Sequence, residues 1–181
     1  YGGATYTPSA SATSSLPVMI TVDASASSVC SISGGVVAFI GVGTCVLNAN
    51  QGGNDYYAAA PQVQQSFAVA KATTTTVITN AVALATDTAV GQSYQVTFSV
   101  TPIWGGTPTG NITISDGTDS CVATVASGIC YLTSTTVGVK LITATYAGDI
   151  NFIGSISTPG PHTVIVAPAI NYWIYLPMLI R

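Results

Sequence analysis

The residues of this chain that can do chemistry are few: four cysteines, one histidine and six aspartates, with glutamate absent altogether. Nucleophilic or general acid–base catalysis needs a base within reach of the reacting group and a partner that orients it. With His162 as the sole imidazole, and no serine tied to it by any recognisable motif, no enzymatic activity and no cofactor are expected. The cysteines fall into two neighbouring pairs, Cys30 with Cys45 and Cys121 with Cys130. Neither pair has the two-to-four-residue ligand spacing of a zinc site or the Cys-x-x-Cys of a redox centre, so no metal is expected there. Local disulfides are the economical alternative, although spacing alone leaves cross-pairing between the two pairs open. Closing the Cys30 to Cys45 loop would stabilise the fold by about 3 kcal/mol on the chain-entropy model, and the shorter loop by somewhat less. Disulfides persist in oxidising surroundings, which places the protein outside the cell.

The remaining candidates each have a plain structural alternative. Asp116-Gly-Thr-Asp119 offers carboxylates to Ca²⁺, but that ion takes six to eight oxygens and Asp-Gly is equally a turn signal, so the turn is preferred. Asp55 and Asp149 lie in matching Gly-Asx turns, where a carboxylate caps nearby amides. Trp104, beside Gly105 and Gly106, is a loop aromatic suited to contact with sugar or a neighbouring subunit, or to covering a domain edge. Asn111-Ile-Thr113 is the single N-glycosylation sequon, and the Thr-rich segment after Lys71 can carry O-linked sugar.

Only 5% of the 181 residues are charged, against 48% apolar and a mean hydropathy of +0.55. A solitary soluble molecule normally keeps a charged surface. Either glycans or burial in an assembly must replace that charge, and assembly is favoured. With Lys71, Lys140 and Arg181 as the only cations and a net charge of −3, there is no basic stripe for nucleic acid. The longest apolar run, Trp173 to Ile180, is too short and too Pro-interrupted for a membrane span. The N-terminal Tyr1-Gly-Gly-Ala-Thr reads as folded-domain sequence rather than a leader, so any leader is expected to have been removed.

The elements that must position these residues are short strands. Runs of four to eight β-branched and aromatic residues alternate with Gly, Ser, Asn and Pro, as in Tyr94, Val96, Phe98 and Val100 interleaved with Gln95, Thr97 and Ser99. Convincing helical periodicity is absent. Gly43 to Tyr57 returns as Gly138 to Phe152 at a constant offset without a gap (138 − 43 = 95). Such a repeat marks a duplicated β-unit. The same offset sets His162 opposite Phe67, a strand position rather than that of a base. Two β-sandwich domains are expected, at 1–72 and 73–167, followed by a tail at 168–181.

Gly110-Asn-Ile-Thr-Ile-Ser-Asp-Gly117, with Gly138 to Phe152, resembles the bacterial Ig-like domain repeats of secreted and surface proteins. The resemblance covers 73–167, and the stretch from Ala12 to Lys71 looks like a second, related repeat type, carried by Val29-Cys-Ser-Ile and Gly43-Thr-Cys. It implies tandem immunoglobulin-like β-sandwiches used as stalks, adhesins or coat components, and no catalytic residue.

The tail from Ala169 to Arg181 has no counterpart after the first unit and is surplus to a sandwich. As a strand its first eight residues would span about 25 Å, a whole sheet edge. An apolar strand must pair with its own domain, another subunit or a sorting apparatus. The expected function is that of a structural subunit of an extracellular bacterial filament, sheath or surface layer. Copies would join head to tail by β-strand addition, with Tyr172, Trp173, Ile174, Tyr175 and Leu176 in the contact. The alternatives are the terminal fragment of a larger adhesin that binds carbohydrate or a cell surface, and an accessory domain pair of a secreted hydrolase.

Overall fold

A computed structural model describes residues 1–167, and the chain is all-β. The first half contains β1 (Met19–Val22), β2 (Cys30–Ser33), β3 (Val36–Phe39), β4 (Gly43–Gln51) and β5 (Ala60–Val69). They form a three-stranded sheet in the order β1-β4-β5 and a β2-β3 hairpin. The hairpin turns through Gly34 and Gly35, whose φ values of 56° and 79° exclude most side chains.

The second half adds β6 (Thr74–Ile78), a one-turn helix α1 (Ala81–Leu84), β7 (Thr88–Ala89), β8 (Ser93–Pro102), β9 (Asn111–Ser115), β10 (Ser120–Thr124), β11 (Ile129–Thr133), β12 (Gly138–Gly148), β13 (Ile153–Ile156) and β14 (Gly160–Ile165). One sheet runs β10-β9-β12-β14-β7 with β13 also on β12, and the facing sheet runs β11-β8-β6. Alternation decides which side chains fill the space between them. Tyr94, Val96 and Phe98 of β8 point inward, as do Ile142, Ala144 and Tyr146 of β12, and Ile112 and Ile114 of β9 complete the layer. Burial of each large apolar side chain contributes about 1.5–3 kcal/mol. A separate cluster in the first half gathers Val37, Cys30, Cys45, Leu47 and Val69.

Four elements depart from the expectation. Helix α1 forms although no helical period was visible, because a single turn of Ala81-Val-Ala-Leu84 is too short to display one. Strands β7 and β13 were unforeseen; each is held by pairing, β7 in parallel with Val164 and Ile165, and β13 against β12, rather than by a hydrophobic run of its own. Ala4 to Tyr6, which the sequence also predicts as a short strand, makes one isolated bridge, between Tyr6 and Val37.

The halves meet at the turn after β12. The Ala72 amide donates to the Asn151 carbonyl (2.9 Å), the Ile153 amide to the Ala72 carbonyl (2.8 Å), and the Lys71 ammonium to the Asp149 carbonyl. The Tyr1 ring stands edge-on to Phe152 at 5.3 Å.

Candidate functional site

Both disulfides tie facing strands together. Cys30 of β2 bonds Cys45 of β4, with Cα atoms 5.7 Å apart, and Cys121 of β10 bonds Cys130 of β11, at 6.3 Å. Each link joins strands that belong to different sheets.

His162 is a packed strand residue. It is 2% exposed, its Nδ1–H donates to the Leu84 carbonyl (2.8 Å), and its Nε2 shares a hydrogen bond with the Thr88 hydroxyl (2.8 Å). Both nitrogens are therefore occupied by the α1 and β7 segment, and the ring lies against Tyr94 with centroids 4.0 Å apart. The offset from the repeat is kept in the pairing register: Cys45 faces Phe67 as Lys140 faces His162, and Gly43 faces Val69 as Gly138 faces Val164.

The aspartates serve the backbone. Asp116 Oδ1 accepts from the Thr118 and Asp119 amides (2.8 and 2.6 Å), and its Oδ2 from the Ser134 hydroxyl (2.5 Å), which in turn meets the Tyr94 hydroxyl (2.9 Å). Burial alone would raise its pKa, but the Ser134 hydroxyl, these amides and the charge of Lys140 outweigh it, and the carboxyl titrates below the ordinary range. Asp119 accepts from the Thr135 amide and hydroxyl instead. No group of three or more His, Cys, Asp or Glu arranged to hold a metal exists among the described residues.

Asp149 Oδ1 accepts from the Asn151 and Phe152 amides (2.8 and 2.9 Å) while its Oδ2 binds Thr109. These bonds overcome the burial that would raise its pKa, and the net shift is downward. Its counterpart in the first half is not Asp55 but Asn54, whose Oδ1 accepts from the Tyr56 and Tyr57 amides (3.0 and 2.9 Å). The cap belongs to the residue directly after the positive-φ glycine, Gly53 or Gly148, and Asp55 stands one place too late. The neighbouring Tyr146 hydroxyl is buried without a partner of good geometry, and burial, then the Asp149 charge, push its pKa up to about 12.

Trp104 is 53% exposed on the loop after β8, and Asn111 is exposed at the start of β9. Neither is drawn into a cluster with the histidine or the cysteines. Tyr172 to Leu176 lie outside the described residues.

A concavity opens in the first half. A cleft of about 500 Å³ is lined by Ala10 to Ser14 on one side and by Ala49, Gln51, Ala58, Ala60 and Pro61 on the other. None of these was singled out from the sequence.

Comparison with known families settles the second half. Residues 81–167 match the family model described as Bacterial Ig-like domain (group 3). This segment is a bacterial Ig-like domain. Its family is typically non-enzymatic, and together with two disulfides the Ig-like domain fits a secreted or surface protein. No helix among the described residues is long and apolar enough to cross a membrane. No curated protein matches the chain.

Proposed function

We propose that this protein is a non-enzymatic structural subunit of an extracellular bacterial filament, sheath or surface layer, whose copies join head to tail by β-strand addition. Two Ig-like sandwiches, 1–72 and 73–167, form its body, and the tail at 168–181 is the donor. The observation that carries this proposal is the surface. Large apolar side chains such as Tyr56, Val63, Val82, Val139 and Ile150 are exposed, yet the 181 residues include only three cations and six anions. Charge is what ordinarily keeps such a surface dispersed, so association is the stable outcome. Deleting 169–181 and imaging the product by negative stain tests the mechanism. The full chain is expected to form polymers and the deleted chain to remain dispersed; polymers unchanged by the deletion would remove the tail from the mechanism.

Trp104 favours a second function, carbohydrate binding by an adhesin fragment, because its ring is half exposed on a glycine-rich loop. A glycan array probed with the native chain and with Trp104→Ala separates the two. Binding lost with the ring would support the adhesin.

A further inference from the structure

On its disulfide-linked side the Ig-like domain ends in two edge strands, β10 and β11, which differ in how well they close the core. Cys130 and Leu132, the inward residues of β11, are 5% and 1% exposed. Cys121 and Ala123 of β10 are only partly buried, as is Val125 just beyond the strand, although all three pack against the same core. The margin of the core is therefore open along β10. The opposite side is already closed. There the Thr74 and Thr76 hydroxyls of β6 meet the Ser155 hydroxyl of β13 (2.8 and 2.7 Å), and β7 pairs with the last residues of β14.

The register shows which main-chain groups β10 leaves free. The Asp116 amide donates to the Asp119 carbonyl (3.1 Å) and the Val125 amide to the Gly110 carbonyl (2.9 Å). Both pairs continue the register that sets Cys121 opposite Ile114 and Ala123 opposite Ile112. Hydrogen-bonded pairs alternate along an antiparallel ladder, so Cys121 and Ala123 bond β9 while Ser120, Val122 and Thr124 turn their N–H and C=O groups to the open side. Strand β10 also lacks the charge, proline or bulge that ordinarily blunts an edge. The Val122 side chain, 62% exposed, stands on the outer face beside these groups.

The sequence after β14 matches that edge on both faces. Ile170, Tyr172 and Ile174 alternate with Asn171, Trp173 and Tyr175, so one row can cover Cys121 and Ala123 while the other lies beside Val122. Deepening the strand-addition function proposed above, on which this inference rests, we propose that residues 170–174 of one copy pair with Ser120–Thr124 of β10 in the next. Its own β10 is out of reach. The open side of β10 lies four strand spacings from β14, about 19 Å across the sheet. Val164 faces Gly138 whereas β9 extends only to Thr143 of β12, which sets the end of β14 about 17 Å further along (143 − 138 = 5 residues). Five residues lead from Ile165 to Ile170 and reach at most about 18 Å (170 − 165 = 5). In a second copy the distance imposes no limit. Main-chain bonding gives affinity and the two side-chain rows fix register.

The test uses the full chain with p-benzoylphenylalanine in place of Trp173, mixed as equal parts unlabelled and ¹⁵N-labelled protein, irradiated, and mapped by mass spectrometry. Expected are cross-links from the tail to peptides containing 119–126, with mixed isotope labels that show two different molecules. Val122→Pro removes an outward N–H without touching the bonds to β9 and should lower their yield at least about tenfold. Val122→Lys, which keeps the backbone and places a charge on the exposed edge, should do the same while the circular dichroism spectrum stays native. Val122→Thr should leave the yield unchanged. Links within single molecules, links mapping elsewhere, absence of links, or yield indifferent to Val122→Lys would each overturn the assignment. Electron micrographs of the same samples separate the two claims. Polymers with links elsewhere would leave strand addition standing without this acceptor; mixed-label links to β10 without polymers would leave the acceptor standing without the filament.

Discussion

Asp116 shows how little of this chain's ionisable chemistry is spare. Its carboxylate joins a turn to Ser134 and through it to the buried Tyr94 hydroxyl. Asp116→Ala would strip the acceptor from two amides and a buried hydroxyl, a loss of about 2 kcal/mol that chemical denaturation should read directly. The Asp23 carboxylate accepts from the Ser25 hydroxyl, the Asn48 side chain and the Ser25 amide, which hold its pKa down to about 2. Asp116 and Asp149 are lowered too. A carboxyl depressed on folding stabilises the folded state above its unfolded pKa and loses that contribution as pH falls through the folded value. Melting temperature should therefore hold above about pH 4, the unfolded carboxylate range, and fall steadily towards pH 2. A flat acid limb would show that these bonds do not form in solution.

At the level of elements, the repeated strand and its turn explain why one part of the sequence recurs. Gly53 and Gly148 take φ of 73° and 89°, and a Cβ on either would approach the carbonyl oxygen of Tyr57 or Phe152 to 2.6 or 2.7 Å. Gly148→Ala is expected to cost about 2–3 kcal/mol, measured as a shift of the denaturation midpoint. Strands such as β8 and β12 were readable because alternation maps directly onto burial. Strands β7 and β13 were not, since two and four residues held by neighbours leave no periodic trace. Asp55 was misjudged for a related reason: residue type suggested a carboxylate cap, while the cap is fixed by position after the glycine. The two turns differ in surroundings. Phe152 is 2% exposed beneath Tyr1 and the Ala70 to Ala72 segment, whereas its counterpart Tyr57 is 52% exposed beside the cleft. The cleft itself was invisible to any search for chemically active residues, because its walls carry no cysteine, histidine or charged side chain.

For the whole molecule, the two disulfides and the sparse charge bear on one outcome. Small sandwiches bury modest cores, and each cystine link stabilises by about 2.5–3 kcal/mol. Reduction should lower the melting temperature. The central claim is that copies join head to tail by strand addition. A cryo-electron-microscopy reconstruction of assemblies grown from the full chain tests it most directly. Expected is a continuous extended strand paired with a sheet edge of one subunit and traceable back to Ala167 of its neighbour. Well-ordered subunits with no such strand between them, or molecules that stay single at every concentration, would contradict it.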